Sequence, residues 1–226
     1  MRLGILFSGG KDSCLALNTA LRLHDISCLI TLKSINLESY MFHTPNLSIV
    51  PLQAKAMTIP LMEVETKGEK ETELLDLEKA IVMAIDEYDI QGIVTGTIAS
   101  VYQAARVQRI TNKLGIWCYN PLWMRAPVTI LRELLEKGFR VMITGIFAYP
   151  LTEDYLGRLL DESLLNDLVE MELRYRINPS GEGGELETTV LDGPNFHYPL
   201  EIIESSAQYK NYSGTLNIIN ARMGDR

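Results

Sequence analysis

Cysteine is scarce in this 226-residue chain: Cys14, Cys28 and Cys118 are its only three, and no two of them form C-x-x-C. So odd and scattered a set excludes a disulfide scaffold, gives no support to a structural zinc site, and suits a reducing cytoplasm. No apolar run approaches the roughly 18 residues that a membrane-spanning helix needs, so no membrane is expected among its partners. Nor is a signal peptide expected, because Met1-Arg2 leads into a short apolar stretch that stops at Ser8-Gly9-Gly10. Basic residues are outnumbered, 21 against 29 acidic ones, for a net charge of -8. Such a chain neutralises nucleic-acid phosphate poorly, and nucleic acid is not expected as a partner. It has no internal repeat either, which excludes a solenoid.

What is present is the balance of a soluble globular protein, with 46% hydrophobic and 22% charged residues. At about 150 residues per domain, the length suits one large domain, or one of standard size with a smaller companion. Leu3 to Phe7 reads as a buried strand, and Asp12 to Leu23 as a helix with Leu15, Ala16, Thr19, Ala20 and Leu23 on one face. Cys28 to Leu32 is a second strand, Pro51 to Met57 a short helix, and Leu61 to Val64 a third strand. A long helix is expected from Glu71 to Tyr88, with Leu74, Leu75, Leu77, Ile81, Val82 and Ile85 as its apolar stripe. Gly92 to Thr95 is a fourth strand, Ala99 to Leu114 a helix closed by Gly115, and Ile116 to Tyr119 a fifth strand. Strict alternation implies crossover connections, hence an α/β fold: a doubly wound, mostly parallel sheet with helices on both faces.

After Pro121 the pattern loosens. A helix at Val128 to Lys137, a strand at Arg140 to Ile146 and helices between Leu151 and Tyr175 precede strand-like pieces at Glu187 to Leu191, Leu200 to Ser205 and Thr215 to Asn220. A boundary is expected near residue 122, with 123–226 forming a smaller C-terminal α+β domain.

Ser8-Gly9-Gly10-Lys11-Asp12-Ser13 lies between the first strand and the first helix. Glycines lack a Cβ, so backbone amides can approach a phosphate and take positive φ where needed. Ser8 and Ser13 add hydroxyls, Lys11 a cation, and the following helix its partly positive N-terminus. In a parallel sheet this loop sits at the carboxyl end of the first strand, where such folds bind ligands. A Walker A loop is excluded, because Gly10 stands where that motif needs its lysine after Gly4 and Gly9. A Rossmann fingerprint is excluded because Gly9 and Gly10 are adjacent. Asp12 can orient Lys11 or a metal-bound water, or serve only as an acid at a helix start.

In this context S-G-G-K-D-S resembles the pyrophosphate-binding loop of the N-type ATP pyrophosphatases, the PP-loop superfamily. Three further segments are similar to one group within it, the diphthine-ammonia ligase (diphthamide synthetase) family: Glu38 to Thr44, Gly96 to Val107, and Gly181 to Thr188 with Val190 to Pro194. With Tyr149 to Glu162 also similar, the resemblance runs over nearly the whole chain. It implies an adenine nucleotide alpha hydrolase-like, Rossmann-like fold, with 1–122 binding ATP and 123–226 binding the substrate. The implied activity is a cytoplasmic ligase using ATP and Mg²⁺. Diphthine on translation elongation factor 2 would be activated as an acyl-adenylate and amidated by ammonium, giving diphthamide, AMP and pyrophosphate. Two other readings stay open: a thiolation-type, tRNA-modifying ligase of the same superfamily, and a non-catalytic adenine-nucleotide-binding protein. A homo-oligomer is compatible with the sequence.

Ser8, Gly9, Gly10, Lys11, Asp12 and Ser13 are then expected ATP ligands, with Lys11 and Asp12 also catalytic. Gly96 and Thr97 end a strand at the same sheet edge and are expected at the nucleotide, and the backbone near Thr31 is expected to meet the adenine. Tyr40 and His43 leave the second strand beside the same site. Tyr40 is assigned to substrate. His43 is assigned to proton transfer or phosphate binding, with an exposed loop histidine as the plainer reading. Ser100, Gln103 and Arg106 follow at spacings of three on one helix face with Tyr102 alongside, Arg106 as a phosphate clamp in catalysis and Tyr102 as a substrate contact, against the alternative of a solvated face. Glu182, Gly183, Gly184, Glu185 and Glu187 form an acidic, glycine-rich stretch. Their carboxylates can hold a cationic group such as the trimethylammonium of diphthine, with Trp123 and Tyr149 as candidate aromatic walls. A polar turn before a hairpin is the plainer reading of that stretch.

Overall fold

A computed structural model describes residues 1–34, 46–67 and 72–225. Its contacts divide the chain into two units: Met1–Ser8, Asp12–Thr44 and Thr58–Trp123 form the first, and Gly9–Lys11, Pro45–Met57 and Met124–Arg226 the second. The short helix α2 (Val50–Met57), which the sequence places among the early crossovers, therefore clusters with the C-terminal half.

The first unit is built on β1 (Arg2–Leu6), α1 (Lys11–Leu21), β2 (Asp25–Ser34), β3 (Leu61–Thr66), α3 (Thr72–Tyr88), β4 (Gly92–Val94), α4 (Val101–Leu114) and β5 (Trp117–Tyr119). All its strand pairs are parallel, in the order β3-β2-β1-β4-β5. The chain steps outward from β1 to β2 and β3, then crosses back to β4. Right-handed crossovers consequently put α1 on one face and α3 and α4 on the other. Strand alternation agrees: Cys28, Ile30 and Leu32 of β2 share one apolar cluster with Leu77, Ala80, Ile81 and Ala84 of α3 and with Val107 and Ile110 of α4. Leu3, Ile5 and Leu29 are fully buried outside that cluster. Each such leucine or isoleucine contributes about 2 kcal/mol by leaving water. The reversal of strand order between β1 and β4 is a switch point, where the loops after both strands flank one crevice.

Some expected details change. Leu75 and Val82 are exposed, because seven residues apart they share the solvent side of α3, and alanines 80 and 84 complete the buried stripe instead. Leu23 lies beyond the end of α1 and is exposed. Ser100 is the N-cap of α4, its hydroxyl accepting the Gln103 N–H at 3.3 Å, so the helix starts two residues later than its apolar pattern suggests. Gly115 closes α4 in the left-handed region, φ 68°, as expected.

The second unit holds α5 (Pro127–Glu136), β6 (Arg140–Ile146), α6 (Glu162–Tyr175), β7 (Leu186–Asp192), β8 (Leu200–Lys210) and β9 (Ser213–Met223). Its sheet is antiparallel in the order β7-β6-β9-β8. Only one long helix forms between Leu151 and Tyr175, because Asp161 caps it, accepting the Leu164 N–H at 2.7 Å. A single short 3-10 turn, Glu153–Tyr155, stands before it. β8 and β9, at 11 residues each, are nearly twice as long as expected. Residues 204–208, polar except for Ala207, are exposed on both faces, so no apolar alternation marks them.

Candidate active site

In the first unit, β1 ends at Leu6, and the Phe7 N–H reaches the Ile30 carbonyl at 2.8 Å. Thr31 is buried and donates its hydroxyl to the Phe7 carbonyl at 2.7 Å, latching the end of β1 to β2. β2 runs on through Leu32, Lys33 and Ser34, paired with β3 on its other side. Thr31 thus spends its side chain on the strand end, and the backbone beyond it is what the fold extends past β1.

The carboxyl end of β4 comes against the start of α1. A Cβ on Gly96 would lie 2.8 Å from both the Asp12 carbonyl carbon and the Ser13 nitrogen. Glycine is required there by backbone proximity, and this fixes the Asp12-Ser13 peptide beside the β4 loop. Ser8 and Ser13 face each other at 3.3 Å between hydroxyl oxygens. Thr97 is buried, and its amide donates to the Thr95 hydroxyl at 3.2 Å. That hydroxyl in turn lies 2.6 Å from Asn120 Oδ1. Thr95 and Asn120 therefore shape the loop although no sequence motif singles them out.

Within the second unit, Gly9 has φ 77°, and its carbonyl accepts two hydrogen bonds, from the Val190 N–H at 3.0 Å and from Gln53 Nε2 at 2.9 Å. The Lys11 amide donates to the Thr188 hydroxyl at 3.2 Å. Two residues of the expected phosphate loop, Gly9 and Lys11, thus bond to β7. Lys11 is only 4% exposed and is among the residues lining a small cavity, with Leu131, Val141, Ile143, Leu164 and Leu186. The Lys11 N–H of this loop is thus engaged by Thr188.

Around the acidic stretch, Gly181 and Gly184 take φ of 70° and 87°, and the Gly184 N–H closes a turn on the Gly181 carbonyl. Gly183 leaves room for a neighbour's carboxylate, since a Cβ there would lie 2.7 Å from Glu185 Oε1. Glu185 Oε1 accepts the Asn178 N–H at 3.1 Å. Glu187 stands on β7 opposite Gly145, and its Oε2 is buried with no hydrogen-bond partner among the described residues. Burial pushes its carboxyl up to about 7. Glu182 is half-buried in the loop before β7.

The remaining candidates divide. Arg106 lies over the Tyr102 ring at 3.3 Å and donates to the Tyr102 carbonyl, one turn back on α4, while its Nε is buried without a hydrogen-bond partner among the described residues. Cation and ring therefore form one stacked pair. Trp123 belongs to the first unit, whereas Tyr149 in the second meets Tyr175 and Tyr212 edge to face, at 5.3 and 4.9 Å. Tyr40 and His43 lie outside the described residues.

Burial raises all three thiols, Cys14 most strongly, Cys28 to about 12, and Cys118 in the same direction. Thiols held protonated are poor nucleophiles, which disfavours sulfur transfer through them. No helix among the described residues is long and apolar enough to cross a membrane.

Residues 1–118 match the family described as diphthamide synthase N-terminal domain, and residues 126–223 match the diphthamide synthase C-terminal domain. A human protein named diphthine–ammonia ligase is 33% identical, covering 91% of this chain and 84% of its own length. Its zebrafish namesake, from Danio rerio, is also 33% identical, over 87% of this chain and 84% of that protein. The Schizosaccharomyces pombe protein of that name is 29% identical over 89% of this chain, which spans 37% of that longer protein. Among solved structures, a predicted subunit of tRNA methyltransferase from Methanocaldococcus jannaschii matches with TM-score 0.46 and 18% identity, over 86% of this chain and 98% of that one.

Proposed function

The chain belongs to the diphthamide synthase family and is a ligase, and we propose that it activates the carboxylate of diphthine with ATP and amidates it with ammonium. Its macromolecular substrate is a diphthine-modified protein, which we take to be translation elongation factor 2. The observation that carries the nucleotide half of this reading is the S-G-G-K-D-S loop at the β1/β4 switch point, with Gly96 against the Asp12-Ser13 peptide.

In this scheme a carboxylate oxygen attacks the α-phosphorus of ATP. The bond to the bridging oxygen breaks, and pyrophosphate leaves with the electron pair. Ammonia then attacks the acyl carbon, AMP departs, and a proton is released. The chain's task is to hold the phosphates in line and to stabilise the charge that grows on pyrophosphate. Ser8, Ser13, the Gly9 and Gly10 backbone and the N-terminus of α1 supply dipoles for this, and Lys11 a full charge. Thr97 and Gly96 line the approach from β4, and the β2 backbone beyond Thr31 is suited to adenine. Among the described residues no three His, Cys, Asp or Glu side chains gather as a metal site. A Mg²⁺ ion, which Asp12 as the loop's own acid would help to hold, would neutralise phosphate charge. Glu182, Glu185 and Glu187 are assigned to the cationic acceptor, and Arg106 with Tyr102 to the nucleotide end. We assign the reaction to the cytoplasm, which the free thiols support.

Incubation with diphthine-bearing factor, ATP and ammonium tests the scheme. It predicts diphthamide with one AMP and one pyrophosphate per turnover, and release of ADP, or absence of amidation, would refute it. Lys11→Met keeps most of the buried stem and deletes the charge. It is expected to lower ATP turnover about 100-fold with little loss of fold. An unchanged rate in a coupled pyrophosphate assay would remove Lys11 from the machinery.

A further inference from the structure

We propose that Gln53 is a positioning residue for the nucleotide loop, aiming the Gly10 amide through the carbonyl of Gly9. This rests on the reading of that loop as the ATP site. Gln53 lies on α2, fully buried, in a segment that no recognised motif includes. Its Nε2 donates to two carbonyls at once, Gly9 at 2.9 Å and Val190 at 2.7 Å. Val190 completes the clamp by donating its own N–H to the same Gly9 carbonyl at 3.0 Å.

The geometry has a direct consequence for the neighbouring amide. The Gly9-Gly10 peptide is trans, since the cis bond among the described residues is Tyr149-Pro150. In a planar trans peptide the C=O and the N–H point in opposite directions. Pinning the Gly9 carbonyl on Gln53 and Val190 therefore turns the Gly10 N–H away from β7. The clamp thereby sets the direction of the Gly10 N–H, next to the Lys11 amide that Thr188 engages. The fit around Gly9 is close as well: a Cβ there would fall 2.2 Å from Gln53 Oε1.

That oxygen is the second sign of a positional role. It is buried with no hydrogen-bond partner among the described residues, an arrangement that costs stability. An apolar side chain would pack at this place without that cost. The amide's two N–H groups are both used there, on the Gly9 and Val190 carbonyls.

The experiment measures ATP binding by calorimetry for the full-length protein and two variants, alongside thermal midpoint and binding of a diphthine-bearing factor. Gln53→Met matches the shape without donors. It is expected to weaken ATP binding at least tenfold, with a midpoint within a few degrees and acceptor binding unchanged. Gln53→Glu places a buried carboxylate against two carbonyls. Protonation restores one donor, so its ATP affinity relative to wild type should recover several-fold between pH 8 and pH 6, and that of Gln53→Met should not. An ATP affinity of Gln53→Met within twofold of wild type overturns the proposal, as do equal losses for ATP and acceptor. Should Gln53→Met fail to fold, the Gln53→Glu ratio decides, and a flat ratio overturns it. Failure of the wild-type protein to bind ATP would instead refute the underlying reading of the loop.

Discussion

Gly96→Ala is expected to lower ATP turnover about 100-fold and to cost about 2–3 kcal/mol of stability. The new methyl would meet the Asp12 carbonyl carbon and the Ser13 nitrogen at 2.8 Å. Both are backbone atoms in the first turn of α1, so no rotamer change relieves the clash. Either the end of β4 or the start of α1 must move by several tenths of an ångström, and that shift passes directly to Ser13 and Asp12. Steady-state kinetics in ATP, with a thermal melt, read both effects. Gly115→Ala is the control. Gly115 has φ 68° but nothing within 4 Å of its would-be Cβ, so its replacement should cost about 1 kcal/mol and leave kcat unchanged. Equal kinetics for the two variants would show that the approach of β4 to α1 is not what holds the loop.

Glu187→Gln is expected to change how stability depends on pH. Burial raises the Glu187 carboxyl from 4.5 to about 7 in the folded chain. A carboxyl raised on folding contributes stability that is fully present below its unfolded value and is lost as pH rises through the folded value. Wild type should therefore lose about 2 kcal/mol between pH 4.5 and pH 8, after allowance for residual solvent. For a chain of this size that is a fall of about 4–8 °C in thermal midpoint. The substituted amide is neutral throughout, so the variant should lack that component and exceed wild type at pH 8. A cationic acceptor adds a second signature: it should raise the midpoint of wild type more at pH 8 than at pH 6, and that of Glu187→Gln equally at both. Parallel melting curves for wild type and variant would show that the carboxylate is already satisfied.

The proposed nucleotide loop stands out in the sequence because its chemistry is local. Two glycines, two serines and a helix start within six residues, and the strand before them has a continuous apolar core. Its supports were not legible, because they come from far along the chain. Gln53 reaches Gly9 over 44 residues and Val190 over 137, and Thr188 reaches Lys11 over 177. Nothing in the sequence near Gln53 marks it, since a glutamine on an eight-residue helix ordinarily faces water. The parallel sheet followed from alternating strands and helices, whereas β8 and β9 were cut short because much of each strand is exposed and shows no apolar pattern. On α3 the misread residues Leu75 and Val82 are large and apolar, while the contacts with the sheet are made partly by Ala80 and Ala84, whose small size lets the helix approach.

The membership of Gly9–Lys11 in the second unit bears on modularity. Two family domains divide the sequence near residue 122, yet a gene fragment encoding only the first would carry S-G-G-K-D-S intact in its letters and lack Gln53's partner Val190 and Lys11's partner Thr188. Such a fragment could fold its parallel sheet and still hold no ordered nucleotide loop. On the proposed reading of the loop, swapping C-terminal halves between relatives would likewise exchange the residues that hold Gly9 and Lys11, so chimaeras should inherit their nucleotide behaviour from both parents.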